Sequence, residues 1–190
     1  MNEKWADSLL AGLERQSLKR SPAVCPRAGG KVRIGGRVFL NFSSNDYLDL
    51  AGHPEVIAAA KSALDDFGAG AGASRLVTGT LPVHVELERE LARFKNKPAA
   101  LVFGSGYMAN AGAIPSLAGR DDAVFVDRLA HASILDAVVM SRARLLRFRH
   151  NDAGHLADLM EKTDVPGRRL VVTESVFSMD GDVAPLGDIV

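Results

Sequence analysis

The sequence predicts an α/β protein with a mostly parallel sheet flanked by helices. Three observations carry this. From Ala99 onward, short apolar runs alternate with amphipathic stretches, and strands that alternate with helices imply crossover units joining parallel strands. The runs are rich in Val, Leu and Phe, as strands covered on both faces are. Finally, polar and small residues gather where the runs stop, in FGSGYMAN, VDRLAHAS and TESVFSMDGDVAPL. In open α/β sheets, ligands bind outside the carboxyl ends of the strands.

The elements follow in order. Trp5, Leu9, Leu10 and Leu13 recur at helical spacing, which predicts an amphipathic helix over 4–20, ended by Pro22 and Pro26. In KVRIGGRVFLNF, two β-rich runs flank Gly35-Gly36, the signature of a hairpin with a primed turn. Pro54 opens a helix to about Phe67, and a second helix spans His84–Phe94. Strands are then expected at Ala99–Phe103, Ala123–Val126, Arg144–Phe148 and Leu170–Thr173. The helices between them are Tyr107–Leu117, Ser133–Met140 and His155–Glu161. Residues 1–50 read as a helix-and-hairpin arm, and 51–190 as the first part of a larger domain.

Composition narrows the function. The 190 residues are 47% hydrophobic and 24% charged, a globular make-up. Twenty-three basic residues balance 23 acidic ones, so no net field draws the chain to nucleic acid or an anionic membrane. Cys25 is the single cysteine, so no intrachain disulfide forms. No signal sequence or apolar run of about 18 residues is evident. The expected setting is the cytoplasm.

Four segments could carry chemistry. In FGSGYMAN, a strand enters Gly104-Ser105-Gly106 and then a helix. Free amides at a helix start favour an anion, typically phosphate; a tight turn capped by Ser105 is the plainer reading. No Gly-Lys-Ser/Thr follows, so this is not a P-loop. In VDRLAHAS, His131 precedes a helix, where it could stack on a planar cofactor or shuttle protons, or could be incidental to a capping segment. In NFSSNDYL, Asn45 could bind a carboxylate, or the segment could be an Asx-type turn. GAGAGAS follows a helix rather than a strand, which excludes a dinucleotide fingerprint. His150 and His155 lack the partners of a metal site, and none is expected.

NFSSNDYLDL, GAGASRLVTGT, HVELERELA, FGSGYMANAG, DRLAHASILDA, RFRHNDAGHLADLM and TESVFSMDGDVAPL run in one order from Asn41 to the end. Together they resemble the α-oxoamine synthases, pyridoxal-phosphate enzymes of the aspartate aminotransferase fold type I. The resemblance implies that Ser105, Gly106 and Tyr107 hold the cofactor phosphate and its flank, and that His131, the catalytic candidate, stacks on the pyridine ring. It places Ser178 near the phenolic oxygen, Glu174 in the same site and Asn45 near the amino-acid carboxylate. Ser74, Arg75 and Thr80 fall in the family's dimer-interface loop. Lys19 or Arg20 falls where some members hold a distal substrate carboxylate.

The implied reaction is a decarboxylating condensation of an amino acid with an acyl thioester. RFRHNDAGHLADLM and TESVFSMDGDVAPL favour the branch that joins L-alanine to pimeloyl-CoA or a pimeloyl-acyl carrier protein, giving 8-amino-7-oxononanoate for biotin. A glycine C-acetyltransferase type and a non-catalytic relative are the alternatives. The resemblance further implies a homodimer with the active site at its interface. The family's Schiff-base lysine would lie beyond Val190, so this chain alone is expected to be inactive.

Overall fold

The computed structural model describes residues 4–26 and 29–190. It forms two compact units, Met1–Leu81 and Pro82–Val190.

The first unit carries α1 (Lys4–Arg15), a hairpin of β1 (Lys31–Ile34) and β2 (Arg37–Leu40), and α2 (Pro54–Phe67). Gly35 and Gly36 both have positive φ, 55° and 79°, as a two-residue primed turn requires. The helix expected over 4–20 stops at Arg15, well before the prolines. Ser17 adopts φ 56°; its N–H bonds Glu14 O at 3.0 Å, and the Leu18 N–H bonds Leu13 O at 2.8 Å. This Schellman pattern satisfies the last carbonyls and ends the helix. The Asn41–Leu48 segment is a series of local turns. Asn41 Oδ1 accepts from Ser43 N, Ser44 Oγ accepts from Asp46 N, and Asp46 Oδ1 accepts from Leu50 N at 2.9 Å.

The second unit is a three-layer sandwich. It contains α3 (Pro82–Phe94), α4 (Gly106–Leu117), β3 (Ala123–Asp127), α5 (Ala132–Ser141), β4 (Arg144–Phe148), α6 (Ala153–Lys162), β5 (Arg169–Val172) and α7 (Leu186–Ile189). Three strands pair in parallel in the order β4-β3-β5. β3 is buried along its whole length. Its side chains alternate between faces, as the two-residue period of a strand dictates. Val124 and Val126 pack with Ile114 of α4 and with Ile134 and Val138 of α5. Ala123 and Phe125 pack on the other face with Phe148 and Leu156 of α6. Burial of each large β3 side chain contributes about 1.5–3 kcal/mol. β4 and β5 are only half covered, because each pairs with a single strand among the described residues.

The expected strand Ala99–Phe103 does not form. No described strand lies beside it, and an unpaired run has no ladder to join. The Val102 N–H donates instead to Glu88 Oε1 at 3.0 Å.

The topology places the site. From β3 the chain crosses to β4 through α5 on one face; from β4 it returns past β3 to β5 through α6 on the other. Right-handed crossovers running in opposite directions must use opposite faces. The two connections therefore leave the carboxyl ends of β3 and β4 on opposite faces, and a crevice opens beyond this carboxyl edge of the sheet, where β5 also ends.

Candidate functional site

Four segments of the second unit meet at this crevice. β3 leads to His131, which starts α5, and β5 leads to Thr173 and Glu174. Glu174 Oε1 accepts the His131 backbone N–H at 2.5 Å, joining the two strand ends. The first turn of α4 lies against the first turns of α5: Asn110 Nδ2 donates to Ser133 Oγ at 2.8 Å, and the Tyr107 hydroxyl donates to Asp136 Oδ2 at 2.9 Å. The opening turns of the two helices thus pack together. A cleft of about 380 Å³ is lined by Ala130, His131, Glu174, Phe177 and Ser178, among others. A larger hollow of about 570 Å³ in the first unit, beside Asp49, His53 and Pro54, is more open and has no strand end feeding it.

Ser105 is the N-cap of α4, its hydroxyl accepting from Met108 N at 3.2 Å. The amides of Gly106 and Tyr107 precede the first intrahelical bond and carry the positive end of the helix dipole. Nothing stands within 4 Å of where a Gly106 Cβ would be, so a ligand can approach the backbone. Such a terminus suits an anion. The exposed His131 imidazole offers a flat face to the cleft at the start of α5. Thr173 Oγ1, buried at the end of β5, has no partner among the described residues, a polar group left for a bound molecule. This donor set fits a planar group that carries a phosphate.

Tyr107 spends its hydroxyl on Asp136, and that hydrogen bond, with the carboxylate's charge, raises its pKa. Its phenol is therefore not a free proton carrier. His131 is the N-cap of α5, with Nδ1 accepting from Ser133 N at 3.1 Å. The capping segment and the stacking candidate are one residue.

Glu174 and Ser178 lie on a turn-back that starts at β5. Val176 bridges Val183 in antiparallel sense, Phe177 N donates to Asp182 O at 3.0 Å, and Gly181 takes φ 74° at the tip. Ser178 is exposed, while Phe177 is buried beneath it.

No local sequence signal marks the network under this turn. Asp127, the last residue of β3, is fully buried. Its Oδ1 is 2.9 Å from His150 Nδ1, and His150 Nε2 is 2.7 Å from Asp182 Oδ2. Asn151 N donates to Asp127 Oδ2, and Asn151 Nδ2 to Asp182 Oδ2. The His150 and Phe177 rings meet at right angles with a centroid distance of 4.5 Å. Asp127, with Asp182 behind it, raises the His150 pKa against the opposing effect of burial. The imidazole thus ties the turn to the sheet.

The remaining candidates belong to the first unit. Asn45 is exposed. Lys19 pairs with Glu14 at 3.3 Å, and Arg20 is exposed. No group of three or more His, Cys, Asp or Glu among the described residues could hold a metal ion. No helix among them is long and apolar enough to cross a membrane.

The profile of the family described as aminotransferase class I and II matches residues 37–190. The 8-amino-7-oxononanoate synthase of Anaeromyxobacter sp. (strain Fw109-5) is 54% identical over 188 residues, covering 97% of this chain and 47% of that protein. The enzyme of the same name from Geobacter metallireducens is 47% identical over 190 residues, covering 48% of its length. Among solved structures, Sphingomonas wittichii serine palmitoyltransferase superposes with a TM-score of 0.89 at 35% identity, covering 100% of this chain and 49% of that one. An SPT structure holding PLP gives 0.88 at 34%, also covering 49% of that chain. The 8-amino-7-oxononanoate synthase of Francisella tularensis gives 0.64 at 32%, over 78% of this chain and 40% of that one. The chain thus spans about half the length of the relatives it matches. On sequence and fold together, it belongs to the aminotransferase class I and II family, of fold type I, and matches the N-terminal half of the α-oxoamine synthases.

Proposed function

We propose that this chain supplies the phosphate-binding and ring-stacking half of a pyridoxal-phosphate site that joins an amino acid to an acyl thioester. One observation supports the reading: His131, Glu174 and Ser178 line one cleft at the carboxyl ends of β3 and β5, and α4 is tied to the start of α5 beside it through Asn110 and Ser133. The relatives named for 8-amino-7-oxononanoate synthesis and the PLP-bearing SPT structure support it.

In this reading the amides of Gly106 and Tyr107 and the Ser105 hydroxyl hold the phosphate. His131 lies against the pyridine face, a contact worth about 1 kcal/mol. Ser178 turns its hydroxyl to the phenolic oxygen. Glu174 keeps the β3 and β5 ends together through the His131 amide. The bound cofactor supplies an electron sink for charge developing at the amino acid's Cα. In the balanced reaction a Cα–acyl carbon bond forms, the thioester C–S bond breaks with release of thiol, and the Cα–carboxylate bond breaks with release of carbon dioxide. No lysine lines the cleft among the described residues, so the covalent anchor comes from outside this set. Asn45 would hold the amino-acid carboxylate, and Lys19 or Arg20 the distal carboxylate of the acyl group. The loop with Ser74, Arg75 and Thr80 would meet a second copy in a homodimer.

For the substrates, the sequence relatives favour L-alanine with a pimeloyl thioester, carried by coenzyme A or an acyl carrier protein. The serine palmitoyltransferase likeness, 0.89 over the whole chain, favours serine with a long-chain acyl thioester as the second reading. The full gene product, mixed with pyridoxal phosphate, should gain a protein-bound cofactor absorbance. It should then release thiol from pimeloyl-CoA in the presence of alanine. Faster release from palmitoyl-CoA with serine would select the second reading. Absence of any bound-cofactor band would sink both.

A further inference from the structure

We infer that Ser133 and Asn110 are positioning residues that hold the uncharged His131 imidazole in its Nε2–H form, so that the ring offers the cleft a hydrogen-bond donor and not a base. The inference rests on the proposed placement of His131 against the cofactor, but its evidence lies entirely within this chain.

A backbone N–H can only donate. Ser133 N lies 3.1 Å from His131 Nδ1, so Nδ1 must present its lone pair and cannot carry a proton. The Ser133 hydroxyl lies 2.7 Å from the same nitrogen, so with Nδ1 unprotonated it too donates there, the two donors sharing the one lone pair. That spends its single hydrogen, and its oxygen is free to accept. Asn110 Nδ2, 2.8 Å away on α4, supplies the donor. The bonds all run one way, from the Asn110 amide to the Ser133 hydroxyl to Nδ1. The proton of a neutral ring is left on Nε2, for which the described residues offer no partner, while His131 itself lines the cleft.

Burial makes the relay selective. Ser133 is 1% exposed, so water cannot replace either partner of its hydroxyl. An unpaired buried donor costs about 1–3 kcal/mol, and the opposite tautomer would set Nδ1–H against the Ser133 N–H. Across a family of ligands, an Nε2–H ring recognises carbonyl or carboxylate oxygen.

The test is nitrogen NMR of the chain labelled with 15N-histidine, at a pH where the imidazole is uncharged. His131 should show a pyridine-type Nδ1 and a pyrrole-type Nε2. In Ser133→Ala the Nδ1 signal should shift downfield as it loses the hydroxyl. Asn110→Ala should shift it the same way by less, and Ser133→Thr should restore it. If Ser133→Ala fails to fold, the wild type and Asn110→Ala decide. In the full gene product, Ser133→Ala and Asn110→Ala should lower kcat several-fold with the cofactor absorbance retained. A pyrrole-type Nδ1 in the wild type, or an unmoved Nδ1 in both alanine variants, overturns the inference. If instead the NMR pattern holds but the full product binds no cofactor, the relay stands and the proposed function falls.

Discussion

His131 does two jobs that one substitution would confuse. Its ring faces the cleft, and its Nδ1 caps α5. His131→Ala removes both, and loss of a cap alone costs about 0.5–2 kcal/mol. His131→Asn keeps a capping side chain without the ring. In the full gene product, both variants should retain the cofactor, because stacking is worth only about 1 kcal/mol. Both should lose most turnover, while only His131→Ala should lower the denaturation midpoint. Wild-type turnover in His131→Asn would mean that the ring has no part in the chemistry. A second residue-scale prediction concerns Gly79. A Cβ there would lie 1.9 Å from Ala73 O, in a loop closed by Gly79 N to Ser74 O at 2.9 Å and by Thr80 Oγ1 to Arg75 O at 2.6 Å. Gly79→Ala should destabilise by about 1–3 kcal/mol, the usual cost of forcing atoms into a filled space. Chemical denaturation would read this directly. The position of His131 was legible in the sequence, before a helix and after a strand. Its capping role was not, because His is an uncommon cap, and the Asn110 amide that bonds Ser133 Oγ beneath it lies on another helix.

Among the elements, the turn after β5 is the one whose anchoring can be tested. His150 holds it through Asp127 below and Asp182 above. The Asp127 hydrogen bond, then Asp182, raises the imidazole pKa above 6.5. A folded-state pKa above the unfolded value favours folding while the group is protonated. That contribution is fully present below about pH 6.5 and is lost as the pH rises through the raised value. Wild-type stability should therefore fall over that window, and His150→Gln should flatten the decline. The same variant should speed amide exchange at Phe177 and Gly181 more than at Val124. Equal pH profiles for the two proteins would rule out the latch. The alternation of runs revealed β3, β4 and β5 and the helices between them. It failed at Ala99–Phe103, because a strand also needs a neighbour. It overran α1, because the αL turn at Ser17 leaves no proline or glycine to read. The Asp127–His150–Asp182 network spans 23 and 32 residues, and no local pattern announces a pairing across such gaps.

At the scale of the whole chain, the two units differ in what holds them. The second unit has β3 wholly buried between two apolar clusters. In the first, neither α1 nor α2 buries a residue. Trp5 is 70% exposed, Phe42 93% and Leu76 99%. Folding must offset a conformational cost of about 1–2 kcal/mol per residue, and burial of apolar surface is the main source of that offset. The first unit lacks it within itself, so its helices depend on another surface, which the proposed homodimer would supply. Hydrogen exchange of the chain at low concentration should show β3 amides protected by several orders of magnitude over those of α1 and α2. Raising the concentration should protect α1 and α2 only if a second copy covers them. The contrast is one of cause as well as degree: β3 protection should not depend on concentration, because its covering helices are part of the same unit. Protection of α1 equal to that of β3 in a demonstrated monomer would show that the first unit stabilises itself without burial.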